Sequence, residues 1–209
     1  STRAFTKAVI PFKTLQVVTG FTFLKDTLER MGVACNVRLV SEAPNGQPLF
    51  SIPTDSLLKP LMHRSDNFFA EQSLLMVSQR MLGKMDDGAV IDTLLKKDFA
   101  DLPQRPRWAD GSGLSRYNLF TPQDFVRILE KMKNEFGMDR IKTIFPMGGE
   151  GTLTNYYTKD SNYIYAKTGT LSGVVSLSGY LYTRKGKLLL FSALVNNHQA
   201  SATEIRRLV

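Results

Sequence analysis

The sequence predicts an α/β (α+β) domain in which helices come first and an antiparallel sheet comes last. Between Thr19 and Phe136, apolar residues recur mainly at three- and four-residue steps, the period of a helix face. From Ile164 onward the period falls to two, and the basic turn Arg184-Lys185-Gly186-Lys187 separates two alternating runs as in a β-hairpin. Helix-start signals punctuate the chain at Thr121-Pro122-Gln123-Asp124 and at Ser201-Ala202-Thr203-Glu204.

A chain of 209 residues suits one domain, or one domain and part of another. Its 43% hydrophobic and 22% charged residues exclude a disordered chain. No apolar run is long enough to cross a bilayer. The opening Ser1-Thr2-Arg3-Ala4-Phe5-Thr6-Lys7 lacks the apolar stretch of a signal peptide. The formal charge of +8 invites a nucleic-acid reading, but the basic residues are scattered over different predicted elements. No nucleic-acid motif accompanies them, so none is expected as a partner. The single Cys35 rules out an intrachain disulfide, and the two histidines, His63 and His198, are far apart. Neither a metal site nor any other cofactor is expected.

In chain order, residues 1–12 read as a short extended lead-in. Phe21, Leu24, Leu28 and Met31 form a helical stripe over 19–31, stopped at Gly32. Val33, Cys35, Val37 and Leu39 then alternate with their neighbours as a strand would, and Pro44-Asn45-Gly46 breaks it before a short second strand at 49–52. Thr54 or Asp55 caps a short helix carrying Leu57, Leu58 and Leu61, bent near Pro60. Next comes a helix over 68–82, apolar on nearly every face and therefore expected in an interior. Ser65-Asp66-Asn67 caps it, a costly place for three polar groups unless they are bonded or used. Asp86-Asp87-Gly88 opens a further helix to about Phe99. Pro103–Asn118 is a loop, and the helix from Pro122 ends at Gly137. Gly148-Gly149-Glu150-Gly151 reads as a flexible turn without the strand-before, helix-after setting of a phosphate loop. Strands follow at 164–170, 174–183 and 188–196, and the final helix is still running at Val209.

Two short motifs carry chemistry. Lys167-Thr168-Gly169-Thr170 ends an aromatic and β-branched strand with a cation, two hydroxyls and a bare glycine. That makes poor core but a usable edge, along which an extended ligand pairs while the lysine and threonines meet an anion. Alone, such a tripeptide is an ordinary surface strand. Ser65-Asp66-Asn67 at the head of the 68–82 helix is its partner, because S-x-N and K-T-G together are two of three signatures of active-site-serine β-lactamases and penicillin-binding proteins.

Four blocks extend the resemblance: Arg64–Glu71, Asp110-Gly111-Ser112-Gly113-Leu114-Ser115-Arg116, Gly149–Leu153 and Ala166–Leu171. In residue type and order they resemble the low-molecular-mass class C penicillin-binding proteins, the D-alanyl-D-alanine carboxypeptidase/endopeptidases. The resemblance implies part of a β-lactamase/penicillin-binding-protein-like transpeptidase fold, an antiparallel sheet beside a helical subdomain. Residues 1–209 would be the C-terminal part of one such domain, with 1–50 a junction to an inserted domain. It implies a periplasmic or cell-envelope enzyme without cofactor, acting on peptidoglycan peptides and acylated by β-lactam antibiotics. It further implies that Ser65 relays a proton to the leaving amine and that Asn67 binds the substrate and the catalytic lysine. Lys167, Thr168 and Thr170 would hold the substrate carboxylate. Gly169 would let the peptide pair alongside, and the Thr170 N–H would donate to the oxyanion. Asp110 and Ser112 read as a bonded loop supporting the site, and His63 and Trp108 as packing.

The family's third motif, a serine nucleophile three residues before a lysine, has one match, Ser56-Leu57-Leu58-Lys59. Pro60 biases Lys59 away from helical geometry, and the family places this motif far upstream of S-x-N. The match is therefore read as chance, the nucleophile segment as absent, and the isolated chain as inactive. Partial loss of cover should leave apolar surface, favouring a homo-oligomer or association with the missing segment. A non-catalytic peptidoglycan-binding module and a β-lactamase or esterase are the competing readings.

Overall fold

The computed structural model describes residues 17–36, 38 and 52–208. The chain divides into two units, Ser1–Phe50 and Ser51–Val209. In the first, the described structure is helix α1 (Val17–Arg30), closed by Gly32 at φ 79. Lys25–Glu29 and Asp26–Arg30 pair along its surface. No strand forms over 33–36, although the alternation there predicts one; alternation supplies faces, but a strand exists only against a hydrogen-bonded neighbour. The lead-in at 1–12, the turn at 44–46 and the strand at 49–51 lie outside the described residues.

In the second unit, α2 (Thr54–Arg64), α3 (Asn67–Leu82), α4 (Asp87–Lys96) and α5 (Pro122–Ile144) precede β1 (Ile164–Leu171), β2 (Val174–Tyr182) and β3 (Leu188–Asn196), and α6 (Ala202–Leu208) follows. The strands form one antiparallel sheet in the order β1-β2-β3. Ile164 faces Leu181 and Lys167 faces Ser178; on the far side of β2, Tyr180 faces Leu190. One sheet face packs on α5 through Leu129, Ile141, Ile144, Phe145 and Tyr180. The Tyr180 hydroxyl donates to Leu129 O at 2.7 Å, and burial raises its pKa. The other face packs Ile164, Ala166 and Leu177 on Leu153, Tyr156 and Tyr157. A third cluster joins α3 to α4 through Leu74, Val90 and Ile91, with Trp108 against it.

Several local expectations change. Neither Thr54 nor Asp55 caps α2: Pro53 occupies the N-cap with no side-chain bond, and the Asp55 carboxylate is gripped by Arg140 at 2.7 Å. The helix also runs through Pro60. An interior proline costs about 3 kcal/mol, and here α2 is held on both sides of it, by Asp55 before and by Met62 in the α5–sheet core after. Gly137 does stop a helix, at φ 74 and ψ 159, but helix resumes at once and reaches Ile144. The Gly148–Gly151 turn is tightly packed rather than flexible. A Cβ on Gly148 would stand 2.3 Å from Tyr157 O, and one on Gly151 would stand 2.6 Å from His63 O. Helix α3 is not interior either: only Leu74 and Ser78 are buried, whereas Phe68 is 67% and Met76 62% exposed. Its apolar faces outnumber the elements that cover them among the described residues.

Candidate active site

The site forms where the α2–α3 corner meets β1. Asp66, not Ser65, is the N-cap of α3: its carboxylate accepts from the Phe69 N–H at 3.0 Å. The aspartate satisfies the orphan donor of the first turn. Ser65 and Asn67 are thereby free of capping duty. Ser65 closes α2 in the left-handed region, at φ 53 and ψ 54. A non-glycine residue held there marks local strain, a recurrent feature of functional corners.

Lys167 reaches this corner from the sheet. Its Nζ donates to Ser65 Oγ at 2.8 Å and to Thr168 O at 2.6 Å. Burial, with Arg206 nearby, lowers the Lys167 pKa to about 8. Such an ammonium gives up a proton far more readily than a surface lysine. The hydroxyl of Ser65 accepts from this cation, so its own proton stays available to a third group. Asn67 is exposed, and its amide has no hydrogen-bond partner among the described residues; no bond joins it to Lys167.

The strand block divides between two faces of the sheet. Alternation puts Lys167 on the α5 face, and Thr168 and Thr170 on the opposite face. Thr168 is 8% exposed and lines a small cavity with Leu153, Tyr156, Tyr157 and Arg206. Thr170 is exposed, and its Oγ1 accepts from the Arg206 guanidinium of α6. Gly169 faces Ser176, and a Cβ on it would stand 2.3 Å from Ser176 Oγ, so its bareness already serves the neighbouring strand.

The outer edge of β1 is open beyond its first half. Ala166 N–H donates to Pro146 O at 3.1 Å, and Met147 bridges Tyr165. Backbone groups of successive residues point to alternate edges, so the N–H groups of Thr168 and Thr170 also face outward, away from β2. Among the described residues no strand pairs with them.

The Asp110–Asn118 loop is tied down on both sides. The Asp110 carboxylate accepts from Gly113 N–H at 2.7 Å, Ser115 N–H at 2.6 Å and Asn118 Nδ2 at 2.9 Å. Glu71 of α3, to which the sequence reading gave no role, accepts from the Gly111 and Ser112 N–H groups at 3.0 Å each. The Ser112 hydroxyl accepts from Leu114 N–H at 3.3 Å. Gly111 is required by this contact, since a Cβ would stand 2.8 Å from Ala70 O. Trp108 packs between Phe99 and Phe120, with centroids 6.1 and 6.4 Å away. His63 lies within α2; burial lowers its pKa, and Nε2 has no partner among the described residues. Ser56 and Lys59 are exposed on α2, and no hydrogen bond or ion pair among the described residues joins either to Ser65, Asn67 or Lys167. No cluster of metal-binding side chains occurs among the described residues, and no described helix is long and apolar enough to cross a membrane.

Known proteins resemble the chain in sequence and in fold. The chain is 32% identical over 193 residues to D-alanyl-D-alanine carboxypeptidase DacB of Haemophilus influenzae, covering 85% of this chain and 40% of that protein. It is 34% identical over 166 residues to a D-alanyl-D-alanine carboxypeptidase of an Actinomadura species, covering 73% of this chain and 30% of the relative. The chain thus spans less than half the length of these relatives. Among solved structures, penicillin binding protein 4 (dacB) of Haemophilus influenzae, complexed with a novel β-lactam, superposes with a TM-score of 0.72 at 27% identity, over 92% of this chain and 48% of the other. A penicillin G-acylated predatory endopeptidase of Bdellovibrio bacteriovorus shares the fold, with a TM-score of 0.62 at 20% identity, over 93% and 58% of the two chains. The match to the D-Ala-D-Ala carboxypeptidase 3 (S13) family runs from residue 13 to residue 208, and the chain belongs to that family.

Proposed function

We propose that this chain supplies the substrate-holding and proton-relay wall of a serine-type D-Ala-D-Ala carboxypeptidase/endopeptidase that acts on peptidoglycan peptides by acyl-enzyme chemistry. The observation that carries the reading is the 2.8 Å bond from Lys167 Nζ to Ser65 Oγ, which joins the two family signatures across the corner. In this reading the peptide lies along the open edge of β1. Its terminal carboxylate lies at the end of that edge, within the field of the Lys167 charge on one face of the strand and beside the Thr168 and Thr170 hydroxyls on the other, and the Thr170 N–H meets the oxyanion. Ser65 passes its proton to the leaving amine and is resupplied from Lys167, while Asn67 binds the peptide. Asp110 and Ser112 keep the facing loop in place. β-Lactams are the acylating analogues, and the cell envelope is the place of action. Residues 1–50 form a junction with an inserted domain.

Ser56 is not the nucleophile in this proposal, because among the described residues no hydrogen bond or ion pair joins it or Lys59 to Ser65, Asn67 or Lys167. A labelled penicillin is accordingly expected to leave the chain unmodified, and stoichiometric labelling at Ser56 would overturn that assignment. In a longer protein that joins this chain to a serine-x-x-lysine segment, D-Ala release from a D-Ala-D-Ala peptide tests the rest. Ser65→Ala and Lys167→Ala are each expected to lower turnover on the order of a hundredfold. Faster turnover of a β-lactam than of the peptide would favour a β-lactamase. Peptide binding with no turnover in the longer protein would instead select a peptidoglycan-binding module without catalysis.

A further inference from the structure

The α6 helix brings Arg206 to the site. Its guanidinium donates through Nη2 to Thr170 Oγ1 and lies 5.6 Å from the centroid of the Tyr156 ring. Its Nε is buried with no hydrogen-bond partner among the described residues. Neither Arg206 nor Lys167 forms an ion pair among the described residues; the acid closest in sequence, Glu204, is engaged by Ser201. Two uncompensated cations therefore flank Thr170 and the end of β1, and a stacked aromatic ring holds one of them in place.

The chemistry of the Thr170 hydroxyl follows from its partner. A hydroxyl carries one proton and two lone pairs, whereas a guanidinium carries donors only. Within this pair Thr170 can only accept, so its proton is directed elsewhere, and a cationic donor on the oxygen strengthens that proton as a donor. Lys167 does the same to Ser65 on the other face of the strand.

We propose that Arg206 is a positioning residue of the peptide site, committing the Thr170 hydroxyl as a donor to the terminal carboxylate of a bound peptide. The proposal rests on the reading of the site as a D-Ala-D-Ala peptide site, and it adds a residue of the C-terminal helix to it. The charge of Arg206 also reaches Lys167, where it is the second cause, after burial, of the low pKa there.

The test compares two acetylated peptides on the chain by titration calorimetry, one ending in D-Ala-D-Ala with a free carboxylate and one with that terminus amidated. The unaltered chain is expected to prefer the free carboxylate. Arg206→Gln should weaken binding of the carboxylate peptide about tenfold, the worth of one charge-assisted hydrogen bond, and leave the amide peptide unchanged. Thr170→Val should cost the same, and combining the two should cost no more than either. Arg206→Lys, which keeps the charge and loses the planar fork, should recover part of the carboxylate preference. Equal losses on both peptides, or additive losses from Arg206→Gln and Thr170→Val, would overturn the proposal. If circular dichroism finds Arg206→Gln unfolded, Arg206→Lys replaces it in the cycle under the same criterion of additivity. An unaltered chain that binds neither peptide overturns the peptide-site reading itself, and this inference with it.

Discussion

At the scale of the residue, the site depends on which side chain takes which duty. Asp66 caps α3, and that leaves Ser65 and Asn67 their polar groups for use. The tripeptide was legible from type and position. Its division of labour was not, because serine, aspartate and asparagine are all good caps, and only the left-handed turn at Ser65 decides among them. Lys167 was legible as a cation on a polar strand, but its burial and its bond to Ser65 were not. Its pKa of about 8 has a consequence for stability. In the unfolded chain the lysine titrates near 10.4, so between about pH 8 and that value the unfolded state binds the extra proton and stability rises with pH. Below about pH 8 both states are protonated and the penalty is fully present. The melting temperature of the unaltered chain, less that of Lys167→Met, should therefore climb as pH rises from 8 to 10; a flat difference would contradict the burial that lowers this pKa. Arg206 escaped the sequence reading, since a basic residue in the last turn of a helix has an ordinary electrostatic explanation.

At the scale of the element, the signals that held were those fixed by local chemistry. Thr121 caps its helix as expected, and Asp124 makes the cap reciprocal, at 3.2 and 2.9 Å; Ser201 and Glu204 form the reciprocal cap expected of them. The three strands fall within a residue of their predicted bounds, because alternation and the turns at Gly173 and Gly186 limit them. What failed was set by packing at a distance. Helix α2 survives its proline, helix resumes after Gly137, and the 33–36 segment finds no partner among the described residues. Register also depends on a residue that no motif flags. A Cβ on Gly179 would stand 2.2 Å from Tyr165 O and 2.6 Å from Ala166 Cα, both backbone atoms that cannot step aside. Gly179→Ala should force β1 from β2, cost about 3 kcal/mol in denaturant unfolding and displace Lys167 from Ser65. Unchanged stability would mean that the two strands are more loosely paired than the ladder implies.

At the scale of the whole molecule, the expectation of a helical part followed by a sheet holds, and so does family membership over most of the chain. The expectation of interior placement for α3 does not, since periodicity reports which faces are apolar and cannot report what lies against them. Phe68, Met76, Tyr117 and Leu119 are each more than half exposed. Surface of that kind favours association, so sedimentation at increasing concentration should reveal self-association, and a strictly monomeric chain would count against it. The open edge of β1 has a further consequence, in the risk that any unpaired strand carries. A long row of free donors templates the addition of strand after strand, and proteins blunt such rows. Here Pro146 and Met147 close the first half, and near the end the outward N–H groups without a strand partner among the described residues are those of Thr168 and Thr170. Two rungs are too few to seed a growing sheet at this edge, and in the proposed function they are the ones that seat the end of a short peptide.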